Sequence, residues 1–126
     1  MNLIQKTGLE TRELFLNGDI TCSELVEGYL DKIKRDDGEL NVFITVMEDM
    51  ARAKAKELDE KRENGEPLGK MAGIVVSVKD NIAVKDVRMT CASKMLDDFV
   101  SPYDAIVTQK LKREDAFLIG KVNMDE

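Results

Sequence analysis

A chain of 126 residues with no histidine and a net charge of −6 narrows the chemistry from the outset. Without histidine these residues hold no Ser-His-Asp or Cys-His machinery, and most zinc-enzyme sites, which recruit histidine, fall away too. The acidic balance argues against a nonspecific grip on nucleic acid, because Lys and Arg are scattered among Asp and Glu while phosphate neutralisation needs them clustered.

The first 64 residues read as mainly helical. A short helix over residues 10–16 closes at Asn17-Gly18, with Gly18 near its C-terminus. Thr21 and Glu24 have capping-box spacing, and Ile20 with Leu25 suit the hydrophobic staple that accompanies it. Leu25, Val26, Tyr29, Leu30 and Ile33 then share one face of a second helix, which Asp36-Asp37-Gly38 is expected to stop. Residues 41–46 (Asn-Val-Phe-Ile-Thr-Val) are β-branched and aromatic enough for a short strand. A third helix over residues 47–63 turns Met47, Met50, Ala51, Ala55 and Leu58 inward. Its alternating charges, among them Lys54, Asp59, Lys61 and Arg62, read as a solvated surface.

Residues 64–69 form a turn-rich connector, and 65–126 read as strand, loop, helix, strand. The run Gly73-Ile74-Val75-Val76-Ser77-Val78-Lys79-Asp80-Asn81-Ile82 has the continuous β-branched content of a buried strand, and it breaks off in charge. A lysine brought up to an apolar core has its neutral form favoured, and a neutral amine can take a proton from a hydroxyl. Read without further context, Lys79 is equally the exposed end of a strand. The stretch 88–93 is rich in small polar groups, Thr90 and Ser93 among them, and fits either a surface loop or a loop packed beside the lysine. Asp104 is placed as the N-cap of a helix over residues 105–113 with Ile106, Val107 and Leu111 on its apolar side. Residues 116–121 make a second buried strand, so strand, crossover helix and strand form a parallel unit. Gly120-Lys121 lacks the glycine spacing of a phosphate loop, and Lys121 reads as structural.

Apolar residues at 43% and charged residues at 35% mark a globular domain able to bury a modest core. No apolar run approaches the roughly 18 residues of a membrane span and no signal peptide opens the chain, so a cytoplasmic protein with no membrane partner is expected. Cys22 and Cys91 stand alone, which favours two reduced thiols over a disulfide or a metal site.

The run from Gly73 to Ile82 resembles the lysine segment of the amidase signature family. Arg88-Met89-Thr90-Cys91-Ala92-Ser93-Lys94-Met95-Leu96, Ser101-Pro102-Tyr103-Asp104-Ala105 and Leu118-Ile119-Gly120-Lys121-Val122-Asn123-Met124-Asp125-Glu126 narrow the likeness. In order and spacing they resemble the glutaminase subunits of tRNA-dependent amidotransferases within that family. The resemblance implies an α/β fold: N-terminal helices plus the first strands of a mixed, mainly parallel sheet, with residues 1–126 as the N-terminal part of one domain. It implies a glutaminase that releases ammonia from glutamine, with Lys79 as general base of a Ser-Ser-Lys triad. Asp80, Asn81, Thr90 and Ser93 would belong to the supporting loop. It further implies B and C partner subunits and a misacylated tRNA, Glu-tRNA(Gln), reached through the B subunit. No cofactor is expected in this chain, ATP and Mg being used on the partner subunit, and no metal.

Val75 stands where that family usually has proline, and Asp115 where glycine is usual. Proline removes a ladder donor, so Val75 suits a strand, and Asp tolerates the left-handed backbone of a helix end. The family's serine-bearing motif lies further downstream than Glu126. The chain therefore reads as an N-terminal fragment, inactive alone, whose open strand edges invite self-association. The alternatives are a fragment of another amidase-signature hydrolase, or a non-catalytic interaction module from a shortened gene.

Overall fold

Two reciprocal caps start the helical half of the chain. Thr7 and Thr21 accept the backbone N–H groups of Glu10 (3.2 Å) and Glu24 (3.0 Å), and those glutamates accept the N–H groups of the threonines. Each cap satisfies donors that a new helix would otherwise leave unpaired. Helix α1 (Gly8–Leu16) therefore begins ahead of residue 10. Helix α2 (Cys22–Leu40) runs through Asp36-Asp37-Gly38, where the sequence predicts a stop. Gly38 costs a helix only about 1 kcal/mol relative to Ala, and the real terminator is Asn41, left-handed at φ 52°. Asp37 secures that turn: its carbonyl accepts Asn41 N–H at 2.7 Å and its carboxylate accepts the N–H groups of Val42 and Phe43.

Helix α3 (Glu48–Glu63) buries Ala51, Ala55 and Leu58 against α2. Its charged side is less solvated than alternating signs imply. Asp59 accepts the N–H groups of Cys22 (2.7 Å) and Ser23 (3.1 Å) at the start of α2. Arg62 donates to the carbonyls of Phe15 and Ile20, with its guanidinium 4.6 Å above the Phe15 ring. Those charges complete the termini of neighbouring helices, where orphan backbone groups need partners.

The computed structural model describes residues 2–124, so Asp125 and Glu126 of the last motif lie outside it. Within those residues the fold is α/β, with a sheet of β1 (Phe43–Val46), β2 (Val75–Lys79) and β3 (Phe117–Val122) ordered β1-β3-β2. The pairing β2–β3 is parallel and β1–β3 antiparallel. The buried strand is thus β3, enclosed from Phe117 to Lys121, and not β2, whose Val75 and Val76 are half-buried and whose Ser77 is exposed. Both runs are β-branched, and which one takes the centre is a matter of pairing that composition does not report. Alternation along β3 feeds two cores. Phe117 and Ile119 join Phe15, Leu25, Leu30 and Leu58, while Leu118 joins Met47, Val78, Val84 and Val87.

The expected helix between the parallel strands is α4 (Ile106–Arg113), but Asp104 does not cap it. Its carboxylate instead accepts Lys85 N–H at 2.7 Å and pairs with Lys112 at 2.9 Å. Ile106 and Val107 are exposed, and the inward residue is Thr108, whose hydroxyl donates to the Ala83 carbonyl at 2.7 Å. Asp115 follows the helix in the left-handed region, φ 64°, as its position implied.

Candidate active site around Lys79

Lys79 is the last residue of β2, half-buried, where the parallel pair with β3 ends. The carboxyl ends of parallel strands are where open α/β sheets bring functional groups to a ligand. Immediately after it the chain turns inward. Asp80 is fully buried, and its backbone N–H donates to the Val122 carbonyl at 2.9 Å, extending the pairing one residue beyond the strand.

The Asp80 carboxylate is the hub of this region. Oδ2 accepts the backbone N–H of Thr90 at 3.1 Å and also the Thr90 hydroxyl. Oδ1 lies 3.4 Å from Nζ of Lys121, and both side chains are fully buried. Lys121 Nζ also donates to the Arg88 carbonyl at 3.3 Å. The strand register makes this possible, because Val78 on β2 stands opposite Lys121 on β3. The end of β2, the 88–93 loop and the central strand are therefore joined through one enclosed ion pair. Burial pulls the Lys121 pKa down, the negative charge of Asp80 pulls it back up, and the balance is downward. Each charge left alone here would carry a heavy desolvation cost, so the two depend on each other.

The loop itself is a tight reversal. Cys91 and Ala92 are left-handed at φ 51° and 58°, and Thr90 Oγ1 accepts the Ala92 N–H at 3.1 Å. Ser93 Oγ accepts the Met95 N–H at 3.3 Å and opens a 3-10 turn over Lys94–Leu96. The Arg88 guanidinium clamps the far side by donating to the Asp97 carbonyl and carboxylate.

Of the residues singled out in the sequence, Lys79, Asp80 and Thr90 are brought together, Ser93 serves as a cap, and Asn81 is exposed. The loop packs beside the lysine. Lys121 is the residue whose part in this region the sequence reading missed. A signal for it was present: a lysine inside an otherwise apolar strand must find a buried partner or break the strand.

Both cysteines are free, and burial pushes the Cys22 thiol up to about 12. The described residues hold no group of three or more His, Cys, Asp or Glu side chains set to take a metal ion, and none of their helices is long and apolar enough to cross a membrane.

A family model described as Amidase matches residues 24–126. In Clostridium acetobutylicum, the second of the glutaminase-type chains named for glutamyl-tRNA(Gln) amidotransferase is 48% identical over 126 residues, all of this chain and 26% of the relative. The corresponding glutamyl-tRNA(Gln) amidotransferase chain of Alkaliphilus metalliredigens is 42% identical over the same span, again 26% of its length. Among solved structures, a bacterial aryl acylamidase of the amidase signature enzymes superposes with a TM-score of 0.88 at 30% identity, covering 94% of this chain and 25% of that one. The chain thus spans about a quarter of the length of the relatives it matches.

Proposed function

The chain belongs to the amidase family, and from that premise we propose that it is the lysine-bearing part of the glutaminase subunit of a tRNA-dependent amidotransferase. The observation that carries the reading is Lys79, held at the carboxyl end of β2 by a turn that Asp80 anchors to the 88–93 loop and to β3. The likeness to the glutamyl-tRNA(Gln) amidotransferase chains, closer than that to the aryl acylamidase, supports glutamine as the amide.

In this reading the neutral amine of Lys79 accepts, through one serine hydroxyl, the proton of a second serine whose oxygen bonds the glutamine carboxamide carbon. Returning that proton to the amide nitrogen lets the C–N bond break and ammonia leave. Both serines come from outside these 126 residues, so the chain alone turns over no glutamine. The ammonia passes to a B subunit that amidates Glu-tRNA(Gln), with ATP and Mg used there, and a C subunit joins the two.

The test is ammonia release from glutamine by the gene's whole product assembled with B and C subunits. Lys79→Met is expected to reduce it by about a thousandfold, the scale of a lost general base. If the unmodified assembly cleaves an anilide but not glutamine, the amidotransferase reading falls. Full activity in Lys79→Met would remove the lysine from the mechanism.

A further inference from the structure

The Asp80–Lys121 pair does more than fill the core. It lies one residue from Lys79, it is enclosed on all sides, and it ties together three separate segments. An ion pair so buried is a poor way to gain stability, because apolar side chains of similar volume usually serve as well or better. What apolar side chains do not supply is direction. The Asp80 carboxylate fixes both donors of Thr90, and Lys121 fixes the Arg88 carbonyl, so the loop is pinned at two points to the strand end that carries Lys79.

We infer that Lys121 is a positioning residue for catalysis, acting through Asp80 to hold the Lys79 turn and the 88–93 loop in one register. The inference rests on the reading of Lys79 as the base. It goes beyond that reading by giving a role to a lysine that touches no reacting atom and lies on another strand. A misplacement of about 1 Å at a reacting group lowers rates by about a hundredfold, so small shifts of this turn suffice.

The experiment separates positioning from stability in the gene's whole product. Lys121→Met alone strands the Asp80 charge and is expected to lower both the melting temperature and kcat. The double variant Asp80→Leu with Lys121→Met removes the charges together. It is expected to regain the melting temperature while kcat stays about tenfold or more below the unmodified protein and KM changes by less than about twofold. Thr90→Val keeps the ion pair and removes one donor to Asp80. It should lower kcat by about threefold or more with little change in melting temperature.

Amide hydrogen exchange at Thr90, read without substrate, should quicken in both Lys121→Met and the double variant. Faster exchange with glutamine turnover absent from the unmodified protein would fault the choice of substrate and leave the positioning of the loop standing. A double variant or a Thr90→Val protein with kcat within about twofold of the unmodified protein, or with unchanged Thr90 exchange, would overturn the inference and reduce the pair to packing.

Discussion

Asp115 shows how much one residue can carry. It closes α4 in the left-handed region, where glycine would supply the backbone freedom but no carboxylate. That carboxylate accepts the Gly69 N–H at 2.7 Å and pairs with Lys54 at 3.0 Å and Lys61 at 3.4 Å. Burial raises its pKa, but the Gly69 N–H and the two lysines outweigh burial, and the balance lies below the usual carboxylate range. A folded value below the unfolded one means the stabilisation is fully present above the unfolded pKa of about 3.9. It drains away as pH falls through the lower folded value. Asp115→Asn keeps the tolerance for φ above zero and loses the charge. We expect it to lower stability at neutral pH by about 1–3 kcal/mol, with the gap to the unmodified chain narrowing below about pH 4. Urea unfolding at neutral and acid pH reads this directly, and a gap independent of pH would refute it. The left-handed turn was legible in a helix running out at Arg113-Glu114-Asp115. The lysines that answer its charge sit on α3, and only packing brings them there.

Among the elements, the capping boxes were the most legible, since a threonine and a glutamate three residues apart report a local hydrogen-bond pattern. The one at Thr21 was read and the one at Thr7, written the same way, was not. The β1–β3 pair is a subtler case. A Cβ added at Gly120 would stand 2.6 Å from the Phe43 ring and 2.8 Å from the Thr45 carbonyl, where the pairing shifts register. No sequence pattern marks Gly120 as a site of close approach, because the atoms it admits come from a strand far back in the chain. Gly120→Ala is expected to cost about 1–3 kcal/mol through overpacking and to speed amide exchange at Met47 and Asn123. Those amides bond to the carbonyls of Ile119 and Val42 along the same pairing. An alanine variant as stable and as protected as the original would show that β1 yields without cost.

At the scale of the whole molecule, the described sheet has β3 at its centre and β1 and β2 at its edges. The open edges are therefore not those of the last strand in sequence. Apolar side chains gather outside the core along 95–107, with Met95 95% and Ile106 73% exposed beside Val100 and Tyr103. Unpaired strand edges and a run of exposed apolar groups are the two features that drive chains together. Sedimentation of the 126-residue chain should show association that grows with concentration, and Val100→Lys with Ile106→Lys should weaken it. A clean monomer across that range would mean the exposed run is tolerated in water.

The amino-acid sequence by itself determined the order of elements, the helix caps, the parallel strand-helix-strand unit and the strand end that carries Lys79. Each of these rests on neighbours within a few residues, where periodicity, capping spacing and turn chemistry act. The tertiary structure alone decided which strand is central, where Asp104 spends its carboxylate, and that Lys121 meets Asp80. Those outcomes depend on register between distant segments. A buried charge accepts only a partner that packing delivers to within a few ångströms, and local sequence carries no record of what will arrive.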